Sequence, residues 1–380
     1  MAFVSGPRQV GKTTSCRHFR ADHSYLTWDD QDDRRLILSG PRAVVESLHL
    51  ERLGTGRKML VLDEFHKYSR WKTFLKGLFD KEKERIQIVV TGSSRMEHYQ
   101  RGGDSLMGRY LPYRMHPLSV GELISTELLE TELRLPPPRD PGLIDALWTH
   151  GGFPEPLALA NPRFSRRWRR LRRDQLIAED IRDLSQIRQV DQLSVLADIL
   201  GERSASQLSY AHLARQINVA VDTARRWVGS LVALHHGFLL RPFSKNVAKS
   251  LRKEPKWYLR DWSTIDDVGQ RAETFVAAHL LKAVQTWEDL GLGDYELNYL
   301  RDKAKREVDF VVVRDGRPWF LVEVKHSDTT LSPALRYFQD QIGAVHAFQG
   351  VFALPWTSTD CFSRGDPCVV PIATLLSQLP

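Results

Sequence analysis

Eight consecutive residues near the start, Gly6-Pro7-Arg8-Gln9-Val10-Gly11-Lys12-Thr13, fit the spacing G-x-x-x-x-G-K-[ST] at every position. The chemistry of that spacing is phosphate binding. The glycines let the backbone curl until successive N–H groups point inward and cradle phosphate oxygens. A helix starting at the end of the loop adds its positive end. Lys12 then reaches the β- and γ-phosphates, Thr13 offers a hydroxyl to Mg²⁺, and Thr14 completes the phosphate-binding set. Residues 2–5 read as a strand and residues 14–20 as a helix, the context such a loop needs. ATP and Mg²⁺ are the expected ligands.

A hydrolytic site needs carboxylates near the phosphates. Lys58-Met59-Leu60-Val61-Leu62-Asp63-Glu64 is an apolar strand that ends in two of them. Asp63 is placed to hold the Mg²⁺ shell, and Glu64 to polarise a water for attack on the γ-phosphate. A third apolar run, residues 86–91, leads into Gly92-Ser93-Ser94. Strand ends line the ligand crevice of a parallel sheet, so Ser93, or Ser94 beside it, either senses the γ-phosphate or simply forms a turn.

A second constellation lies near the other end. Glu307-Val308-Asp309 opens an apolar run, Asp315-Gly316 interrupts it, and Val322-Glu323-Val324-Lys325 closes a second run. Asp-Gly between two apolar runs signals a hairpin. A turn centred on Gly316 sets Asp309 opposite Glu323, whereas a two-residue Asp315-Gly316 turn sets Asp309 opposite Val322. In the first register two carboxylates face each other about 5 Å apart and call for a bridging Mg²⁺. Lys325 shares the face of Glu323 and is placed to stabilise developing negative charge.

These residues need elements to position them. The chain has 380 residues, enough for two or three domains, and its 42% hydrophobic and 27% charged content is that of a globular protein. That excludes collagen-like, low-complexity and disulfide-scaffold chains. No apolar run is long enough to span a membrane, and the first residues lack a secretion-signal pattern, so a cytoplasmic protein with no membrane partner is expected. The three cysteines, Cys16, Cys361 and Cys368, fit no metal spacing. The net charge of +7 is compatible with a polyanion such as DNA.

Residues 1–135 alternate strands and amphipathic helices, which predicts an α/β core. The prolines at 136, 137, 138 and 141 mark a boundary. Residues 142–190 read as helical and include seven arginines between Arg163 and Arg173, either a solvated helix face or a phosphate-binding surface. Residues 191–256 read as helix, short turn, helix and extended segment, followed by Lys245, Lys249, Arg252 and Lys253. That is a winged helix-turn-helix pattern, which serves either DNA contact or protein–protein spacing. Residues 257–380 return to α/β, with a helix predicted at 268–287, a strand at 295–300 and the hairpin at 308–324.

Taken together, the chain resembles the AAA-type ATPases of bacteria and archaea that carry a C-terminal nuclease-like domain of unknown function. The resemblance covers nearly the whole chain. It rests on Gly6–Thr13, Leu62-Asp63-Glu64, Thr91-Gly92-Ser93-Ser94, Gly108-Arg109, Pro117-Leu118-Ser119, Gly151-Gly152-Phe153-Pro154-Glu155 and Asp180-Ile181. It implies a P-loop AAA-like core (1–135), a helical lid (136–190), a winged helix (191–256) and a restriction-endonuclease-like α/β end (257–380). It also implies that Arg109 serves as an arginine finger or sensor, or else as a structural salt bridge; a finger acting in trans needs a homo-oligomer. Family members usually have more than the five residues found here ahead of the loop.

The pattern of Asp309 followed by Glu323-Val324-Lys325 resembles the PD-(D/E)XK nuclease core. That resemblance implies metal-assisted phosphodiester hydrolysis and makes Glu273 a third metal ligand beside Asp309 and Glu323. The expected activity is Mg²⁺-dependent ATP hydrolysis on or near DNA, with a nuclease-like domain that cleaves phosphodiesters. The alternative is a nucleotide-dependent switch whose nuclease-like domain only binds DNA or protein. A third reading is a nuclease with a vestigial ATPase.

Overall fold

The computed structural model describes residues 1–19, 23–49, 57–92, 106–127, 130–140, 142–176, 190–244 and 254–380. It divides into two compact units, residues 1–116 and 117–380.

The first unit is a five-stranded sheet in the order β2-β3-β4-β1-β5, with every pair parallel. The strands are β1 (Ala2–Ser5), β2 (His23–Thr27), β3 (Lys58–Asp63), β4 (Ile86–Thr91) and β5 (Leu111–Arg114). The helices are α1 (Lys12–His18), α2 (Gln31–Leu38), α3 (Pro41–Ser47) and α4 (Trp71–Glu82). An all-parallel sheet is covered on both faces, so its strands are apolar throughout rather than alternating. β3 shows this. Leu60 and Leu62 enter the larger core with Phe74 and Leu75 of α4. Met59 and Val61 pack with Cys16 of α1 on the other side.

The second unit begins with α5 (Val120–Ile124), α6 (Ile144–His150), α7 (Pro154–Leu159) and α8 (Pro162–Gln175). α9 (Val190–Glu202), β6 (Ser206–Gln207), α10 (Tyr210–Gln216) and α11 (Val221–Ala233) follow. α10 and α11 are joined by a short turn with Asn218 at φ 52°, and Leu213, Ile217, Trp227 and Leu231 seal the pair against α9. Then come β7 (Gly237–Pro242), β8 (Lys256–Leu259), the 22-residue α12 (Val268–Asp289), β9 (Tyr295–Arg301), β10 (Glu307–Arg314) and β11 (Arg317–Lys325). α13 (Pro333–Ile342), β12 (His346–Val351), β13 (Cys368–Pro371) and α14 (Ile372–Ser377) complete it.

The strands from β6 to β13 form one mixed sheet, ordered β13-β12-β11-β10-β9-β7-β8-β6. β7 and β8 therefore extend the sheet of the C-terminal region. Its middle is covered on both faces. Phe310 and Val312 of β10 pack with Phe275 and Val276 of α12. Val308, Val311 and Val313 pack with Leu335 and Phe338 of α13.

The β10–β11 hairpin combines both registers that the sequence left open. Asp315 and Gly316 have φ of 49° and 73°, the two positive angles that a two-residue type I′ turn requires. Arg314 accordingly faces Arg317, and Val313 faces Pro318. An extra residue, Trp319, then shifts the ladder, so that Val312 faces Phe320 and Phe310 faces Val322. Phe310–Val322 is the last pair of this ladder, and beyond it Asp309 meets β11 through its side chain, which accepts from the Val324 N–H.

A second bulge lies on the other edge of β10. Val308 faces Leu300 and Val311 faces Asn298, which leaves Asp309 and Phe310 together against Tyr299. Bulges re-aim side chains, and this one sits at the predicted carboxylate.

Candidate nucleotide site and carboxylate–lysine cluster

The phosphate-type loop follows the C-terminal end of β1, level with the ends of β3 and β4. Gly6, Gln9 and Gly11 all have positive φ (147°, 63° and 101°), so the chain curls back on itself. A Cβ at Gly6 would stand 2.2 Å from the carbonyl oxygen of Met115. Lys12 is buried, and its Nζ donates to the carbonyls of Gly6 (2.9 Å) and Pro7 (2.8 Å) across the loop. Its ammonium thus sits over the curl where phosphates would lie.

Asp63 ends β3, 4% exposed. The Thr13 hydroxyl donates to its Oδ2 at 2.9 Å. Tyr25 also donates to Oδ2, and Thr91 donates to Oδ1. Burial, then the Asp63 carboxylate, pushes the Tyr25 hydroxyl up to about 12 and the Cys16 thiol up to about 11, so both stay protonated.

Glu64, at φ 52°, starts a 3₁₀ turn, and its N–H donates to the Thr91 hydroxyl at 3.3 Å. The Glu64 carboxylate lies 3.3 Å from Lys67 Nζ and 3.9 Å from His66 Nε2. Lys67 also grips Asp29 at 2.7 Å. The predicted Lys12, Thr13, Asp63 and Glu64 are thus brought to one end of the sheet. Thr91 and Tyr25 join them through Asp63, and sequence reading missed both roles. The motif around Thr91 was visible, but its role was given to Ser93, which lies outside the described residues, as does Asp180-Ile181.

Arg109 is not brought to this end. It precedes β5, whose Leu111 bonds to Met1 beside the start of β1, so it lies at the opposite edge of the sheet from the loop. There its guanidinium meets Asp80 near the end of α4, at 2.7 and 3.2 Å. Of the expected roles, this geometry matches the salt bridge; a sensor within the same chain is set aside.

In the second unit, a hydrogen bond runs from Val324 N to Asp309 Oδ2 at 2.9 Å, tying the carboxylate to the ladder. Lys325 Nζ donates to Glu323 Oε1 at 2.7 Å, while Glu323 Oε2 is buried without a hydrogen-bond partner. Glu273 comes from α12 and accepts from Tyr258 at 2.6 Å.

Lys256 of β8 sits among these groups, and it was not foreseen. Its Nζ is 2.9 Å from Glu273 Oε1, 2.5 Å from Glu307 Oε1 and 3.7 Å from Asp309 Oδ1. Burial and the Asp309 charge push Glu273 up to about 8 and Glu323 up to about 7. Asp309 is raised by burial against the pull of Lys256. The surrounding carboxylates hold the Lys256 ammonium protonated, overcoming its burial.

Among the described residues, no group of three or more His, Cys, Asp or Glu side chains is arranged to hold a metal ion. The expected metal trio of Glu273, Asp309 and Glu323 is instead divided between two amines: Glu273 and Asp309 lie at Lys256, and Glu323 lies at Lys325. A protonated amine stands among the carboxylates instead. The signal available in the sequence was only an alternation, Lys256 and Tyr258 on one face of a short strand.

Residues 1–124 match the family model of an AAA domain. This agrees with the all-parallel sheet and the loop at its C-terminal edge, and the AAA-type part of the sequence reading stands. Residues 142–268 match a domain of unknown function (DUF8612), and residues 268–375 match another (DUF4143). Lys256 and Tyr258 belong to the first of these segments, and Glu273, Asp309 and Glu323 to the second.

Among curated proteins, the chain is 24% identical over 344 residues to an uncharacterised protein of Mycobacterium tuberculosis, covering 88% of this chain and 73% of that one. An uncharacterised protein of Mycobacterium bovis matches equally. One from Methanocaldococcus jannaschii is 25% identical over 230 residues, covering 58% and 51%. Among solved structures, the Aeropyrum pernix ORC1 protein in complex with DNA has a TM-score of 0.31 at 17% identity, covering 73% of this chain and 86% of that one. The S. cerevisiae Hsp104–ADP complex has a TM-score of 0.28 at 13% identity, covering 76% and 41%. Among the described residues, no helix is long and apolar enough to cross a membrane.

Proposed function

We propose that the chain is a Mg²⁺-dependent ATPase that acts on or near DNA. One observation carries the hydrolytic part: the Thr13 hydroxyl and the Asp63 carboxylate meet at 2.9 Å beside a loop whose Lys12 is already turned across it. A hydroxyl and a carboxylate form an all-oxygen pair that suits Mg²⁺. When bound, Mg²⁺ neutralises phosphate charge as the terminal phosphoryl group departs. Lys12 exchanges the Gly6 and Pro7 carbonyls for phosphate oxygens. Thr91 holds Asp63 in place, and Glu64, released from Lys67, takes a proton from the attacking water. The net charge of +7 and the exposed arginines of α8 support a DNA partner.

The test is ATP hydrolysis with Mg²⁺, with and without DNA, beside Glu64→Gln. The reading expects turnover that DNA stimulates and that the variant loses while still binding ATP. Equal turnover in the two proteins would overturn it.

Lys256 favours a second reading for the C-terminal region. An internal ammonium among the carboxylates stands in for a divalent ion, which suits a binding module in a nucleotide-dependent switch better than a phosphodiester-cleaving centre. No cleavage of DNA with Mg²⁺ or Mn²⁺ is the expected result.

A further inference from the structure

α8 carries more positive charge than the fold uses. Three of its arginines have structural partners. Arg169 donates to the carbonyls of Ser165 and Ser263. Arg172 lies 4.1 Å from the centre of the Phe153 ring. Arg173 pairs with Asp198. The other four, Arg163, Arg166, Arg167 and Arg170, are exposed, and their guanidinium groups make no ion pair or hydrogen bond among the described residues.

Their spacing of i, i+3, i+4 and i+7 sets them on one face of the helix. Over the seven steps from Arg163 to Arg170 the stripe runs about 10 Å. Neighbours at these spacings repel one another. The first turn of the helix holds no acid, so the stripe also adds to the positive end of the helix dipole instead of offsetting it. Asp174, one turn beyond Arg170, forms no ion pair with it.

The opposite face is fixed. Ser165 is fully buried and bonds to His150 at 2.9 Å, and Trp168 packs against Phe153. The Asn161 side chain caps the helix, accepting from the N–H groups of Arg163 and Phe164. The helix is therefore held rigidly with its unneutralised side outward.

We propose that this arginine stripe is a docking surface for the phosphate backbone of a nucleic acid. This names a surface for the DNA partner proposed above and rests on that reading. Guanidinium forks pair with phosphate in a bidentate way, and the stripe contains arginine only, with no lysine. A lipid surface fits less well, because a membrane-binding helix needs its apolar side free for lipid. Here that side is spent inside the protein, and Leu171 is the exposed large hydrophobic residue on the helix.

The test uses the full chain without nucleotide, so that failure of the ATPase reading does not touch it. Binding of a fluorescent duplex of random sequence is followed by anisotropy as salt rises from about 50 to 200 mM, for the wild type and for R166Q/R167Q/R170Q. The proposal expects the slope of log affinity against log salt to fall by about 2 to 3, since each phosphate contact contributes about 0.9. It also expects the variant to melt no lower than the wild type, because like charges have been removed. Binding by the wild type with the same slope in the variant overturns the stripe and leaves a DNA partner standing elsewhere. No binding by the wild type overturns both. Stripe-dependent binding to phosphatidylserine vesicles in place of the duplex makes the surface a membrane contact and also overturns the proposal.

Discussion

Lys256 Nζ lies 2.9 Å from Glu273 Oε1, joining β8 to α12 inside a cluster of carboxylates. Glu273 is raised to about 8 and Glu323 to about 7, both above the ordinary 4.5, so the folded protein holds protons that the unfolded chain releases. Their contribution to stability is therefore full below about pH 4.5 and is lost as pH rises towards 8. Lys256 offsets that loss at Glu273, and Lys325 offsets it at Glu323, by neutralising the ionised forms. Lys256→Met is expected to cost about 3–5 kcal/mol at pH 8, the usual penalty for stranding buried charge. The cost shrinks at pH 5.5, where the carboxylates take up protons. Urea unfolding at the two pH values checks this, and an equal cost at both refutes it.

Lys12 spans the nucleotide loop through the Gly6 and Pro7 carbonyls. Lys12→Ala removes the cation that would meet the phosphates and is expected to weaken ATP binding about 100-fold, the loss of a charged hydrogen-bonding group worth up to about 3 kcal/mol. Calorimetric titration with ATP and Mg²⁺ measures it; unchanged affinity would rule out this loop as the nucleotide site.

Gly6 packs against the Met115 carbonyl with no room for a methyl group. Gly6→Ala must push the loop or the residues before α5 aside. Overpacking of this kind costs about 1–3 kcal/mol. A lower melting temperature together with weaker ATP binding is expected. Stability at the wild-type level would show that the loop relaxes freely.

Arg109 meets Asp80 at the far edge of the sheet from the loop. Arg109→Ala is expected to leave ATP affinity and turnover unchanged. A collapse in turnover with affinity intact, relieved by mixing in Glu64→Gln chains that keep Arg109, would place Arg109 in a neighbouring copy's site.

Much of the fold and part of the site were legible in the sequence, because they depend on local rules. The loop spacing fixed the positions of Gly6, Gly11, Lys12 and Thr13, and the apolar runs of β3 and β4 announced strands buried on both faces. Asp315-Gly316 announced its turn because few residue pairs tolerate two positive φ angles. The tertiary structure alone decided the rest. The bulge at Trp319 lets a two-residue turn coexist with the register that sets Phe310 opposite Val322, and neither motif contains that information. Lys256 reaches carboxylates 17 to 53 residues away because β7 and β8 join the C-terminal sheet. Arg109 lies far from the loop because β5 runs parallel to β1 and begins at its opposite edge. Spacing reports which residues share an element, whereas the neighbours of a strand are chosen by the packing of the whole sheet.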